Sequence, residues 1–383
     1  MSYRKLKADK IFDGQKFNEG SVLVVDDDGI IEEIVSEGDA GGDVEIYEGM
    51  LSPGFINCHC HLELSHMKGC IPEQTGLVDF VFKVITQRHY PEEEVLQAVA
   101  DAEDEMMQNG IVAVGDICNN TLTLAQKQKQ RLCYYNFIEA SGWLPSISQA
   151  RFERAKRLLE EFSILNSLSS IVPHAPYSVS ENLWQQIQPY FKNKVVSIHN
   201  QETAFEDEFF LSGTGDFNRM YELMKIDNTH YLPTKKSSLK SYFDKLTNAA
   251  NIILVHNTFI RQGDIDYVKQ QTEDHSQTFF CLCVNSNQYI EGVIPPIDLL
   301  SKNRCTIVLG TDSLASTRSL NIIDEIKTIR NFFPGLSLQE MLQWATLNGS
   351  KALQMEDTLG SFEKGKKPGV LLINEELAVK KLI

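Results

Sequence analysis

The sequence predicts an α/β protein with a (β/α)8 TIM barrel and a small β-sandwich domain formed by both chain ends. Three observations predict this fold. Eight apolar runs of strand length recur between residues 54 and 310, helical patterns fill most of the gaps between them, and β-prone runs occupy both termini. Eight strands that alternate with helices are the composition of such a barrel.

The terminal domain is expected to comprise residues 1–52 together with 356–383, which leaves residues 53–355 for the barrel. Ser21–Val25 and Gly29–Val35 are β-prone runs separated by Asp and Gly turns. Gly369–Asn374 has the same character and follows a Lys-Lys-Pro-Gly turn. We therefore expect strands from both ends of the chain to form one β domain.

The predicted barrel strands are short apolar runs, most of them buried on both faces as parallel strands require. They are Gly54–Cys58, Ile111–Cys118, Cys133–Glu139, Ile171–Ala175, Val195–His199, Ile252–His256, Thr278–Val284 and Cys305–Gly310. An open, doubly wound sheet is the structural alternative. No glycine-rich phosphate fingerprint follows the first strand, which favours the barrel.

Helical patterns lie between these strands, for example Glu92–Met106 and Leu338–Ala345. The segment from Phe205 to Lys245 is long for a connection between a strand and a helix, and it mixes acidic, glycine-containing and lysine-rich stretches. Long connections in compact domains are commonly functional. This segment is therefore predicted to be an active-site loop or lid.

The composition is that of a soluble globular protein, with 42% hydrophobic and 23% charged residues in a chain of 383. A formal charge of −16 argues against binding to nucleic acid or an anionic membrane. The N-terminus lacks the apolar core of a signal peptide, and no apolar run approaches transmembrane length. We expect a small-molecule partner, with a homodimer as the common default.

The eight cysteines show no CxxC spacing, which argues against a disulfide framework and against a structural zinc site. They lie mainly in strand-like apolar runs. Buried free thiols are typical of a reducing compartment, so the chain is expected to be cytoplasmic.

Histidines and an aspartate stand where the predicted strands end, and barrel enzymes place their catalytic groups at these ends. The residues are His59 and His61 on strand 1, His174 on strand 4, His199 on strand 5, His256 on strand 6 and Asp312 on strand 8. His59 and His61 are two residues apart, so they point to the same side. The other four histidines (His66, His89, His230 and His275) are predicted to be surface or packing residues.

Three histidines and one carboxylate would hold one divalent cation and leave a position open for water, whose pKa the ion lowers toward neutrality. Glu202, three residues after His199, is placed to move a proton between the water and the leaving group. Each residue has a simpler interpretation. Glu202 could be a solvated loop carboxylate, His174 a backbone hydrogen-bonding group, and His256 a packing residue.

The chain resembles the deaminase and chlorohydrolase branch of the amidohydrolase superfamily over nearly its full length. The matching motifs are Pro53–Glu63, Pro173–Ser180, His199–Glu202, Val255–His256, Asn285–Asn287, Leu309–Asp312, Ala345–Leu353 and Gly360–Gly369. No lysine ends strand 4, where members with two metal ions carry a carboxylated lysine. The resemblance therefore implies a single metal ion.

The resemblance also implies a role for each matching residue. His59, His61, His199 and Asp312 would bind the metal, Glu202 would be the proton shuttle, and His256 with Asp312 would orient or deprotonate the attacking water. His174 matches a histidine that contacts substrate in adenosine-type deaminases. Zinc is the preferred ion, and iron or manganese would also suit this ligand set.

Within the branch, Pro173–Ser178 looks most like deaminases of S-adenosylhomocysteine and methylthioadenosine, and His61–Ser65 looks like aminodeoxyfutalosine deaminases. The end of strand 3, Asn136–Gly142, lacks the arginines that would hold a homocysteine carboxylate. The leading hypothesis is hydrolytic deamination of a 6-aminopurine nucleoside. A chlorohydrolase, a deaminase of guanine or another base, and a non-catalytic binding scaffold are the alternatives.

Overall fold

The two chain ends form two small mixed sheets in the computed structural model, which describes residues 3–272 and 277–383. Their strands are β1 Tyr3–Lys7, β2 Lys10–Phe12, β3 Phe17–Asn18, β4 Ser21–Asp26, β5 Ile31–Ser36, β6 Val44–Ile46, β7 Met50–Ser52, β16 Leu371–Ile373 and β17 Val379–Lys381. One sheet has the order β5-β4-β1-β6 and the other β17-β16-β7-β2-β3. Strands from both termini therefore pair in the second sheet.

Strand β16 packs in two directions at once. Leu371 and Ile373 belong to the main hydrophobic core, whereas Leu372 packs against the cluster of the terminal sheets. Gly110 immediately precedes the core strand that begins at Ile111. It has φ 82°, and a Cβ there would lie 2.6 Å from Leu371 Cδ1. Only glycine permits this conformation and this approach without strain.

Eight parallel strands make up the centre of the molecule, and all eight agree with the predicted runs to within about three residues at each end. They are β8 Phe55–Cys60, β9 Ile111–Cys118, β10 Cys133–Ala140, β11 Leu168–Pro173, β12 Val195–Asn200, β13 Asn251–His256, β14 Gln277–Leu282 and β15 Thr306–Leu309. They form two four-stranded sheets in sequential order, β8 to β11 and β12 to β15.

Backbone hydrogen bonds connect the two parallel sheets at both of their edges. The His199 N–H donates to the His174 carbonyl at 3.0 Å, beside β11 and β12. The Asp312 N–H donates to the His59 carbonyl at 3.0 Å, beside β15 and β8. Both connections lie at the carboxyl ends of the strands, so they bring the predicted site residues together.

Helices follow most of these strands. They are α1 Leu77–Gln87, α2 Glu92–Gln108, α3 Leu124–Lys127, α4 Ser148–Phe162, α5 Glu181–Ile187, α6 Ala204–Ser212, α7 Phe217–Leu223, α8 Ser238–Tyr242, α9 Gln262–Thr272, α10 Val284–Glu291, α11 Ile297–Lys302, α12 Ile322–Phe332, α13 Leu338–Gln343 and α14 Gly349–Ala352. A π-helical turn at Trp344–Asn348 joins α13 to α14. Among the described residues, no helix combines the length and apolar character needed to cross a bilayer.

The prediction of a loop from Phe205 to Lys245 is wrong in its local structure, because helices α6, α7 and α8 occupy much of the segment. Phe209 and Phe210 on α6, and Phe217 and Tyr221 on α7, pack into a second hydrophobic cluster. Gly213 ends α6 in a left-handed conformation, a common way for a helix to stop.

All eight cysteines lie in the described part of the chain and are free thiols there. Cys70 and Cys133 are exposed, however, so the expectation of buried thiols is wrong for these two. His275 lies outside the described residues.

Candidate metal centre and active site

Four of the predicted residues converge at the carboxyl ends of β8, β12 and β15. His61 Nε2 lies 3.4 Å from His199 Nε2. Asp312 Oδ1 lies 3.7 Å from His59 Nε2 and 3.5 Å from His61 Nε2. All four side chains are buried. Residues at the ends of three separate strands thus bring candidate ligand atoms within 3.4–3.7 Å of one another in pairs.

The chemistry of these donors fits one divalent cation. Both ring nitrogens of His59 are buried without a hydrogen-bond partner, although buried polar atoms are rarely left so. Burial lowers the pKa of His61 to about 4, so its imidazole is neutral at pH 7. Neutral imidazoles and a carboxylate are the ligands that zinc and related ions take.

The remaining polar atoms of two of these residues have partners that fix their orientation. His199 Nδ1 lies 2.7 Å from the His174 carbonyl oxygen and donates to it, which leaves Nε2 free for a metal. Asp312 Oδ2 accepts hydrogen bonds from the hydroxyls of Ser286 and Ser316, both at 2.6 Å. Such outer partners orient metal ligands. Neither serine was assigned a role from the sequence, although Ser286 lies in the motif Asn285–Asn287, because only the fold brings them to Asp312.

The backbone at two site residues is strained. His256 has φ 73° and Asp312 has φ 59°, both in the left-handed region that side chains rarely adopt. Each such residue costs about 1–3 kcal/mol and is found mainly at functional sites. Asn57 on β8 helps to hold Asp312 in place, since its side chain makes hydrogen bonds of 2.7 and 3.1 Å with Thr311.

Glu202 and His256 lie beside the four candidate ligands. Glu202 Oε1 is 3.7 Å from His256 Nε2, and both side chains are buried. Burial, followed by the charge of Asp312, raises the pKa of Glu202 well above its ordinary value. A carboxyl group in such surroundings is suited to carrying protons near neutral pH. Glu202 is therefore not a solvated loop carboxylate.

His256 also lies close enough to share a metal. Its ring nitrogen belongs with those of His59 and His199 to a group whose atoms all lie within 4.8 Å of one another. Burial lowers the pKa of His256 to about 3, so this imidazole is also neutral. The simpler interpretation of His256 as a packing residue does not describe this position, beside both the metal ligands and Glu202.

A cavity of about 490 Å³ opens above these residues. Its floor includes His61, His199, Glu202, His256 and Asp312. Its walls are largely apolar and include residues of α1, α7 and the segment after β10: Leu77, Phe80, Val84, Trp143, Leu144, Met220, Tyr221 and Met224. Cavities of this size and character bind small organic molecules. The segment predicted to be a lid therefore contributes a helical wall to the cavity.

His174 lines this cavity from the end of β11. Its carbonyl accepts from His199, and its Nδ1 lies 2.7 Å from Ser178 Oγ. The backbone of His174 thus supports a predicted metal ligand, while its ring forms part of the cavity wall.

Two arginines also line the cavity, although the end of strand 3 contains none. Arg88 follows α1, and Arg151 lies in the first turn of α4. Arg88 Nη2 lies 2.7 Å from Glu63 Oε1. Neither arginine was predicted from the sequence, because both lie outside the end of strand 3, Asn136–Gly142. Arg151 lies at the start of the helix that follows β10, and the start of such a helix lies near the carboxyl end of the preceding strand.

A buried ion pair supports the segment that follows β8 and carries His61. Lys127 Nζ lies 2.5 Å from Asp116 Oδ2, and both side chains are almost fully buried. Asp116 Oδ1 accepts a hydrogen bond of 2.9 Å from the Leu62 N–H, one residue after His61. The pair therefore ties the end of β9 to the chain that carries a candidate ligand.

Replacing Lys127 by Met is expected to lower the free energy of unfolding by about 3–5 kcal/mol, because it leaves the Asp116 charge buried without its partner. Chemical denaturation of the two proteins measures this difference. Lys192→Met is the matched control, since Lys192 is an exposed lysine and its loss should change stability by less than about 0.5 kcal/mol. Equal stability of the two variants would show that the pair does not stabilise the fold.

Two deaminases are among the known proteins to which this chain is similar. The chain is 24% identical over 324 residues to an adenosine deaminase of Helicobacter pylori, covering 83% of this chain and 77% of that one. It is 24% identical over 344 residues to a 5-methylthioadenosine/S-adenosylhomocysteine deaminase of Thermodesulfovibrio yellowstonii, covering 85% and 72%.

The fold is also similar to that of a solved structure. The crystal structure of Helicobacter pylori aminofutalosine deaminase in complex with methylthio-coformycin superposes with a TM-score of 0.81. It is 21% identical and covers 97% of this chain and 92% of that one. The family model described as "Amidohydrolase family" matches residues 50–381. This chain belongs to the amidohydrolase family.

Proposed function

We propose that this protein is a metal-dependent hydrolytic deaminase that acts on a 6-aminopurine nucleoside and releases ammonia. The observation that carries the proposal is the floor of the cavity. There, neutral imidazoles and Asp312 surround one point, and Glu202 lies beside them with a raised pKa. A binding scaffold would have no need of a buried proton carrier. The relatives named above support this substrate class over others.

The ligands would be His59, His61, His199 and Asp312, with zinc preferred over iron or manganese. A divalent ion held there supplies the Lewis acidity that makes water a nucleophile near neutral pH. His256, close to both Glu202 and this ligand set, would orient the attacking water together with Asp312.

Glu202 would carry the protons. It would take one from the water as the oxygen attacks C6 and give it to a ring nitrogen, which neutralises the charge that develops in the ring. The proton of the new C6 hydroxyl would then pass through Glu202 to the amino group, the C6–N bond would break, and ammonia would leave. The C6 oxygen becomes a carbonyl, so the overall change is water added and ammonia lost.

In this proposal, the two parallel sheets form one closed (β/α)8 barrel over residues 53–355. The hydrogen bonds at both sheet edges favour closure, and the mixed sheets favour a terminal β-sandwich of residues 1–52 and 356–383. A cytoplasmic location and a homodimer stay predictions of the sequence.

A nucleoside should be a better substrate than its free base. The cavity extends from the metal centre to Trp143 and α7, and a base alone would leave much of it unfilled. Binding energy from a remote part of a substrate can be used to lower the barrier at the reacting atom. We therefore expect adenosine-type nucleosides to be deaminated with a kcat/KM at least about tenfold above that of adenine, guanine or cytosine.

Ammonia release from purified protein, measured across these nucleosides and bases, tests the substrate class. His174→Ala should narrow the difference between nucleoside and base while leaving the metal content unchanged. Free bases or chlorotriazines that react tenfold faster would establish the alternative of a base deaminase or a chlorohydrolase. Binding without turnover of any compound would identify a scaffold.

A further inference from the structure

One motif of the sequence has no part in the mechanism above. Asn285–Asn287 lies in the first turn of α10, which follows β14. Asn287 is fully buried and does not line the cavity. Its amide nitrogen Nδ2 lies 3.3 Å from His256 Nδ1 and 2.7 Å from Thr258 Oγ1. The side chain of Asn287 therefore contacts a ring of the candidate site from outside the cavity.

Asn287 is the donor in both of these contacts. An amide nitrogen has two hydrogens and offers no lone pair, so each hydrogen needs an acceptor. His256 Nδ1 and Thr258 Oγ1 are those acceptors. Asn287 Oδ1 is buried and has no partner among the described residues. Buried amide N–H groups are left unpaired more rarely than buried carbonyl oxygens, so this placement of the amide satisfies the groups with the stronger requirement.

The contact fixes which nitrogen of His256 carries the ring proton. A ring nitrogen that accepts a hydrogen bond has no hydrogen, and a neutral imidazole then carries its proton on the other nitrogen. The proton therefore lies on Nε2. Glu202 supports the same placement from the opposite side, since its Oε1 lies 3.7 Å from His256 Nε2. An N–H group that faces a carboxyl oxygen is attracted to it, whereas a lone pair in the same place would be repelled.

This tautomer decides between two roles for His256. Its ring lies close enough to His59 and His199 to share a metal with them. A histidine binds a metal through a nitrogen that has a free lone pair. His256 Nδ1 already accepts from Asn287, and Nε2 carries a hydrogen, so neither nitrogen is available. The ring can instead donate from Nε2 to an oxygen atom at the floor of the cavity.

We infer that Asn287 is a positioning residue that holds the proton of His256 on Nε2, so that His256 is a hydrogen-bond donor to the attacking water and not a metal ligand. The donation to water rests on the proposed function, whereas the tautomer does not. A donor at this point holds the water oxygen in place for attack on C6. Glu202 is then the group that takes the proton from the water, because an Nε2–H group cannot accept one.

Asn287→Asp changes this one hydrogen bond with almost no change in shape. A carboxylate oxygen only accepts, so the His256 proton must move to Nδ1 and a bare Nε2 must face the cavity floor. The loss of a donor to the reacting oxygen predicts a kcat for adenosine about 10- to 100-fold lower. KM should change by less than about threefold, because Asn287 does not line the cavity. Thr258→Val is the matched control, since it removes only the other acceptor of the same amide, and it should keep the wild-type kcat.

Nuclear magnetic resonance of zinc-loaded protein with isotope-labelled histidine reads the tautomer directly, because protonated and bare ring nitrogens have separate chemical shifts. The spectrum of His256→Gln identifies the His256 signals by their loss. We expect the proton on Nε2 in the wild type and in Thr258→Val, and on Nδ1 in Asn287→Asp, with the zinc content unchanged among them. A proton on Nδ1, or zinc bound to Nε2, in the wild-type protein would overturn the inference whether or not any variant folds.

The kinetic results must agree with the spectra. A wild-type kcat in Asn287→Asp with the proton on Nδ1 would show that the donor has no part in turnover. A lowered kcat with the proton still on Nε2 would show that Asn287 acts in another way, and either result would overturn the inference. A proton on Nε2 in a protein that releases no ammonia from any nucleoside would overturn only the proposed function.

Discussion

Asp312→Ala and His199→Ala are each expected to abolish metal binding and to lower activity by at least about a thousandfold, because water alone is a poor nucleophile at neutral pH. Asp312 supplies the only carboxylate among the four proposed ligands, and His199 Nε2 lies 3.4 Å from His61 Nε2. Either change removes one of four donors. Elemental analysis of protein purified under the same conditions, with ammonia release measured on the same samples, tests this expectation.

The control for these variants is His89→Ala, which removes an exposed histidine far from the candidate ligands in the chain. It should retain one ion per chain and the wild-type rate. Circular dichroism would show whether each variant is folded. A full metal content in both Asp312→Ala and His199→Ala would refute the ligand assignment.

The histidines could be predicted because their positions follow from the strands. A central parallel strand is buried on both faces, so β8, β12 and β13 are visible as largely apolar runs, each with one small polar residue before its histidine. The histidine near the end of such a run lies at the carboxyl end of its strand. This local pattern is enough to place His59 and His199 at one end of the molecule, before any distance is known.

Residues that act through distant partners could not be predicted in this way. The pairing of Asp116 with Lys127, and of Asn119 with Glu139, depends on how neighbouring strands and helices are placed. No local period in the sequence marks these contacts. The helices between Phe205 and Lys245 were missed for a different reason, since α6, α7 and α8 are too short to show many turns of apolar spacing.

Glu202→Gln is expected to lower kcat by about a hundredfold or more while the metal content and the fold stay as in the wild type. Glutamine has nearly the same shape, and the Glu202 backbone N–H keeps its hydrogen bond to Glu206 Oε2 at 3.3 Å. It cannot take a proton from water or give one to the purine ring. Burial raises the pKa of Glu202, which is the property that the substitution removes.

Steady-state kinetics with adenosine and elemental analysis of the same preparation measure both parts of this prediction. Glu208→Gln is the matched control, because Glu208 is an exposed glutamate on α6, six residues along the chain. It should leave kcat unchanged. Wild-type turnover by Glu202→Gln would remove Glu202 from the mechanism. Loss of the ion would instead make Glu202 a metal ligand, and the proton carrier would then have to be His256, which is 3.7 Å from it.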